Sequence, residues 1–262
     1  MKSKILALSA LFLAHQAFAI VGIGFHYAPN FGTSLKASKE TKVKDVTVEG
    51  LDVGDVNYSH GDFKDMQGFG FKLWVDILPF VDVEATYNIA WGSYNADLFV
   101  YNAAEELQKK QPVELKFDGV PFGKASPKFV SMNGDLSVTY PITFLPIIRP
   151  YIGGGLTYFI NTPVMNHAFV KEFMDKGGDA LLSTGGMTDE EAKKLANELG
   201  KQLGGDSFEK SFAGHALLGV RAKLPVIPIA VYVNGKYYFG GDFPDEVDRQ
   251  NFVLECGAGF AL

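Results

Sequence analysis

Two stretches of strict two-residue alternation, joined by a Leu-Pro turn, limit what this chain can fold into. From Phe69 the alternate residues are Phe69, Phe71, Leu73, Val75 and Ile77, interleaved with Gly70, Lys72, Trp74 and Asp76. After Leu78-Pro79 the pattern resumes with Val81, Val83, Ala85, Tyr87, Ile89 and Trp91, interleaved with Asp82, Glu84, Thr86, Asn88 and Ala90. Period two means a strand with one apolar and one polar face. Two such strands across a tight turn predict an antiparallel hairpin from Gln67 to Trp91. Length is the discriminating feature. Globular strands run to about five or six residues, whereas a tilted bilayer-crossing strand needs about 9–11.

Six further segments carry the same alternation: Val21–Ala28, Phe129–Tyr140, Pro150–Ile160, Gly214–Leu224, Ile229–Phe239 and Asn251–Leu262. Eight strands result. The connections alternate between short, Pro-containing turns and the long polar segments 29–66, 92–127 and 161–212, with a shorter acidic loop at 240–250. Short turns on one rim and long loops on the other predict an all-β, eight-stranded antiparallel up-and-down transmembrane barrel. An even strand count places both termini on the short-turn rim, which is periplasmic in such a barrel. Within the long segments, Val46–Gly50 reads as a strand extending beyond the rim. Asn102–Gln111 reads as a helix, from a capping residue and Glu105–Lys109 and Glu106–Lys110 spacing. Thr188-Asp-Glu-Glu191 opens a second helix to about Leu203, with Leu195 and Leu199 on one side, and a weaker one covers Val164–Asp175.

The first 19 residues read as a secretory leader. Lys2 and Lys4 precede the apolar run Ile5–Leu13, and Ala17-Phe18-Ala19 fits a small-x-small cleavage site, so residues 20–262 form the barrel domain. The formal net charge of −6 includes two leader lysines, which leaves −8 for the remainder and argues against a nucleic-acid partner. Cys256 is the only cysteine, so no internal disulfide can form.

The polar face carries charges of both signs: Lys72, Asp76, Asp82, Glu84, Asp135, Arg221, Lys223, Lys236 and Glu255. A Lys or Arg at the lipid midplane costs about 2–4 kcal/mol, and a one-residue register slip would put a whole set there. Facing one another in a narrow lumen they can pair. The expectation is therefore a plugged, polar interior rather than an open pore. The apolar face, by contrast, is too bulky for an eight-stranded interior. A soluble lipocalin-like lipid carrier would reverse the two faces and is one alternative; a narrow channel or binding barrel for a small, hydrophobic solute is another.

Arg149-Pro-Tyr-Ile-Gly-Gly-Gly-Leu-Thr-Tyr158 resembles a strand opening of small bacterial outer-membrane barrels of the OmpA, OmpX and OmpW type. The final residues, with Glu255, Gly257, Phe260 and Leu262 at polar, glycine and hydrophobic positions, resemble the barrel-assembly signal of those proteins, although the commoner version ends in Phe. The resemblance implies outer-membrane insertion by the barrel-assembly machinery with periplasmic chaperones. It also implies contact with outer-membrane lipid and lipopolysaccharide, and an extracellular or envelope protein partner through the loops.

No catalytic residue, cofactor site or metal site emerges. His26 and His215 fall on the lumen face, where hydrogen bonding suffices for them. His60 with Asp62 and Asp65, and the cluster Asp242, Asp245, Glu246 and Asp248, lie in polar loops without strict ligand spacing. Cys256 falls on the apolar face. Tyr87, Trp91, Tyr140 and Tyr151 lie near strand ends, where interfacial aromatic girdles form. These readings describe a non-catalytic protein with a structural or surface-interaction role.

Overall fold

In the computed structural model Gln67 pairs with Trp91, and the register runs unbroken to Val75 against Val83. The structure describes residues 21–48, 51–76, 80–101, 107–112, 128–142, 147–173, 208–223, 227–249 and 251–261. The leader, Leu262 and the expected helix from Thr188 to Leu203 lie outside them. The strands are β1 Val21–Tyr27, β2 Asn30–Leu35, β3 Thr41–Val48, β4 Leu51–His60, β5 Phe63–Val75, β6 Asp82–Ser93 and β7 Ala96–Tyr101. They continue with β8 Leu107–Pro112, β9 Lys128–Pro141, β10 Ile148–Asn161, β11 Glu209–Lys223, β12 Ile229–Gly240, β13 Val247–Asp248 and β14 Phe252–Ala261, with one helix, α1 His167–Phe173.

Eight of these strands close a barrel in the order β1-β5-β6-β9-β10-β11-β12-β14, and every pairing is antiparallel. Closure falls on β1, where Phe25 faces Phe71 on one side and Ala258 on the other. No barrel strand is left with an open edge, so backbone donors and acceptors are satisfied within the wall. β2 continues β1 across Ala28-Pro29: Tyr27 pairs with Cys256 and Phe31 with Phe252 in one register. A bulge then bends the pair away. Gly32 and Asp65 both have positive φ, and the Gly32 amide donates to Asp65 Oδ1 at 2.7 Å.

The registers also fix the tilt. Paired residues followed once around from Ile23, through Leu73, Ala85, Leu136, Leu156, Gly214 and Phe239, return to the first strand about ten residues further along. For eight strands that shear corresponds to a tilt of about 40°.

Burial alternates as the sequence pattern requires. Lys72 and Trp74 are fully buried, whereas Phe71 and Leu73, their chain neighbours, are 59% and 48% exposed. Leu156, Phe212 and Leu218 are among the most exposed side chains on the outer wall. The outward set is apolar along every barrel strand. The soluble, lipocalin-like alternative is thereby overturned, because it required the apolar face inside.

The long segments after β1 and β6 are not open loops. They build a four-stranded sheet in the order β3-β4-β7-β8, with β3 where the strand extension was expected. Val43, Val56, Tyr58 and Leu98 of this sheet share a buried cluster with Phe63, Ala90 and Phe129 at the barrel mouth and with Phe169 and Val170 of α1. A folded cap therefore seats on the loop end of the barrel.

The helix expected at Asn102–Gln111 is not formed where it can be checked. Residues 102–106 lie outside the described residues, and Leu107–Pro112 is strand β8. The i,i+4 charge spacing offers only about 0.2–0.5 kcal/mol per pair. Pairing along β7 outweighs it: Leu98 faces Gln111 and Phe99 faces Lys110, while Lys110 Nζ lies 3.2 Å from Asp97. Pro112, lacking an N–H, ends this sheet-edge strand without breaking a ladder. The helix expected at Val164–Asp175 is present as α1, and Asn166 Oδ1 caps it by accepting the Phe169 amide at 2.9 Å.

Candidate functional site: the barrel lumen

Strand parity aims the polar side chains of all eight strands at one axis, and they interlock in three tiers. At the short-turn end the Arg221 guanidinium lies 4.8 Å from the Trp74 ring centre. It donates to Glu84, and lies 3.2 Å from Asp76 and 3.8 Å from Asp82. Arg149 reaches Asp76 from the rim at 3.8 Å.

The middle tier is held by two lysines and two glutamates, all fully buried. Lys72 Nζ lies 2.8 Å from Glu84 and 3.9 Å from Glu255, with the Tyr232 ring 4.7 Å away. Lys236 lies 2.7 Å from Glu255. Asn88 and Asn234 both donate to Glu255, at 3.2 and 2.7 Å. Because Asn88 spends its Nδ2 on Glu255, its Oδ1 accepts from His26 Nε2 at 2.7 Å. Nδ1 of His26 lies 3.0 Å from the Tyr232 hydroxyl, so both ring nitrogens are engaged.

The third tier centres on Asp135. It pairs with Lys236 at 2.8 Å and accepts from Tyr238 at 3.0 Å and from Asn133 at 2.8 Å. Beside it His215 lies between the Ser137 and Thr157 hydroxyls, each 2.8 Å from one ring nitrogen. Above, Phe159 packs against Phe243, and Phe243 against Phe129, closing the mouth beneath the cap.

Of the sequence-derived charge set, Lys72, Asp76, Asp82, Glu84, Asp135, Arg221, Lys236 and Glu255 all meet in these tiers. Lys223 does not; it sits half-buried at the rim, its amide donating to Ile147 O at 3.2 Å. Asn88, Asn234, Tyr232 and Tyr238 belong to the network and were not singled out beforehand. Their lumen parity was the available signal.

Tyr151 requires a correction. It is 2% exposed, inside the lumen, and its hydroxyl donates to Asn234. The run Gly153-Gly154-Gly155 beside it gives no apolar alternation from which to read the phase. Tyr87 and Tyr140 do face outward, at 45% and 54% exposure. Cys256 is on the outer wall, exposed.

Charges of both signs neutralise one another inside, and an uninterrupted apolar surface faces out. Only a hydrocarbon phase solvates such an exterior without penalty. The chain is a transmembrane eight-stranded β-barrel.

No family model and no curated protein matches this sequence. Among solved structures the barrel is similar to the outer membrane protein OprG from Pseudomonas aeruginosa, with 11% identity over 94% of this chain and 97% of that one, at a TM-score of 0.43. It is similar also to Ail, the attachment invasion locus protein of Yersinia pestis, in complex with the heparin analogue sucrose octasulfate, with 9% identity, coverage of 94% and 99%, and a TM-score of 0.43. A weaker likeness is to the outer membrane protease OmpT from Escherichia coli, with 9% identity, coverage of 92% and 97%, and a TM-score of 0.30. At such scores these likenesses carry no argument; the barrel rests on its own registers and on the sorting of its two faces.

The arrangement offers little to chemistry. His215 has a serine on one nitrogen, but a threonine, not a carboxylate, on the other, and both hydroxyls are buried. His60 is 6% exposed, with Nδ1 2.9 Å from the Gly61 carbonyl. Asp65 is engaged by Gly32. Among the described residues no group of three His, Cys, Asp or Glu side chains is placed to hold a metal. In the acidic loop, Asp248 pairs with Lys36 at 2.7 Å. Glu209, beyond the apolar wall at the loop end, has its carboxyl pushed above the usual range by burial, then by Asp245, Asp242 and Glu246.

Proposed function

We propose that this chain is a closed outer-membrane barrel that neither conducts solute nor performs catalysis, and that it acts through the folded cap it presents at the cell surface. The observation that carries the reading is Lys236, held between Asp135 and Glu255 at 2.8 and 2.7 Å across the lumen. A solute would have to break ion pairs with no solvent to replace them, and each charge left buried without its partner costs several kcal/mol. Above them the cap shares a hydrophobic cluster with the barrel mouth, so it is a shaped surface and not a set of solvated loops.

In this reading the short-turn rim and both ends of the chain are periplasmic, and residues 1–19 are removed on export. The final strand serves assembly through Gly257, Phe260 and Leu262. Glu255, on the lumen side, serves the charge network once the barrel has closed. The partner of the cap is a protein of the surroundings or envelope, met over the sheet β3-β4-β7-β8.

An epitope inserted between Gly61 and Asp62, at the β4–β5 turn of the loop end, tests the topology on living cells. Antibody staining of intact cells is expected. Staining that needs permeabilised cells would reverse the barrel and remove the surface role.

A further inference from the structure

Where β10 and β11 reach the loop end, Asn161 and Glu209 stand opposite each other on the inner face of the sheet. Asn161 is fully buried and Glu209 half-buried. The loop between β12 and β14 is tied to this rim. Asn161 Nδ2 donates to Asp242 O at 2.9 Å, and the Asp242 amide donates to Ser211 Oγ at 2.7 Å. The next residue, Phe243, packs against Phe159 and Phe129, with 5.4 and 6.1 Å between ring centres.

Because Asn161 gives its nitrogen to Asp242, its Oδ1 is the atom left over, and it is buried with no donor in reach. Glu209 Oε2, on the neighbouring strand, is left in the same way. Two buried acceptors without donors, side by side, call for a ligand that brings donors. The charge around them is one-sided as well. Burial raises the Glu209 carboxyl, Asp245, Asp242 and Glu246 raise it further, and among the described residues no basic group offsets them. The cations of this end are committed elsewhere: Lys36 to Asp248 at 2.7 Å, Arg249 to the Gly240 and Gly241 carbonyls, and Lys210 to the outer wall.

We propose that Asn161, Glu209, Asp242 and Asp245 form a site for a hydrated divalent cation, which fastens the β12–β14 loop to the barrel rim. Among the described residues no three carboxylates are placed to grip a bare ion, so a closed carboxylate cage is not what this site offers. An ion of the magnesium type needs only one or two carboxylates, because it keeps several of its waters. Its charge is set against Glu209 and the exposed Asp242 and Asp245, while its waters donate to Asn161 Oδ1 and Glu209 Oε2. A lone water brings donors without charge, and an ammonium brings only half the charge. With the ion in place, Asp242 is held to the rim and Phe243 to the barrel mouth. The site is the same whichever side of the membrane the loop end faces.

The test uses the full folded barrel in detergent micelles free of lipopolysaccharide, stripped with chelator and titrated with magnesium chloride alone in a calorimeter. The wild type is expected to bind saturably, with a dissociation constant of about 10⁻⁴–10⁻³ M, the range of extracellular cation modules. At about ten times that constant, the Asp242 amide and the Val247 amide, which donates to Pro244 O, should exchange about ten-fold more slowly than in chelator. Glu209→Gln and Asp245→Asn should each weaken binding by about ten-fold. Asp62→Asn, at an exposed acid of the β4–β5 turn outside the cluster, should leave it unchanged. No saturable binding by the wild type, binding that survives the double Glu209→Gln, Asp245→Asn variant, or an equal loss from Asp62→Asn would each overturn the proposal. Stronger protection of the two amides by spermidine than by magnesium would overturn it too, because the ligand would then be an ammonium. Heat-modifiable gel migration confirms that every variant is folded.

Discussion

Lys72 Nζ stands 2.8 Å from Glu84 Oε2 with both side chains sealed from solvent, while Phe71, one residue away, is 59% exposed on the outer wall. That contrast describes the barrel's energetics. The hydrophobic effect does not fill the interior; it orders the exterior, which requires lipid, and the interior is ordered by charge pairing. Such pairing confers little net stability relative to an apolar core, but removing one member is expensive.

Glu84 serves two cations, Lys72 and Arg221. Glu84→Gln should therefore destabilise the barrel by about 3–5 kcal/mol and Lys72→Met by less, since Glu84 keeps Arg221. The double variant should cost less than the two single losses added together. Urea unfolding in lipid vesicles, followed by tryptophan fluorescence, measures all three. Small and additive losses would mean that the pairs are not formed.

Gly70 lies beside the His26–Asn88 hydrogen bond, and a Cβ there would collide with both side chains and with the Tyr87 carbonyl. Gly70→Ala should cost about 1–3 kcal/mol. Gly134, where a Cβ would meet nothing within 4 Å, should accept Ala without measurable loss. The same unfolding assay compares them, and equal effects would contradict the assignment of faces.

Cys256 supplies a thiol on the outer wall, between Tyr27 and Val233 in register. In vesicles it should resist a charged, membrane-impermeant maleimide and react fully once the protein is unfolded in denaturant. Rapid labelling of the folded, vesicle-embedded protein would place that wall in water.

The raised carboxyl of Glu209 has a pH consequence for the loop end. An acid whose folded pKa exceeds its unfolded value binds more protons in the folded state, so stability falls as pH rises from its ordinary 4.5 towards the folded value. Hydrogen exchange at the β11–β10 end should show less protection at neutral pH than near 4.5. Glu209→Gln should flatten that dependence. A wild-type protection that rises with pH would contradict the sign.

Much of this was legible in the chain. The hairpin Gln67–Trp91, the eight long strands and the sorting of Lys72, Glu84, Asp135 and Lys236 to one face all follow from period two, which long membrane strands cannot violate. Tyr151 was misread because the glycine run 153–155 that follows it erases the period. The cap was legible only at Val46. β7 and β8 are short, and β8 looks helical by local charge spacing; it is a strand through pairing with β7, a tertiary contact that no local window contains. The polar partners of Glu255 were missed for a related reason. Asn88 and Asn234 are far apart in sequence and meet only when the barrel closes.

Planar-bilayer recording of the refolded, full-length barrel tests the central claim most directly. A lumen crossed by Lys236 between Asp135 and Glu255 predicts no single-channel steps in the wild type. Stable, reproducible openings, altered in size by Lys236→Met, would contradict the closed lumen and make the barrel a conduit.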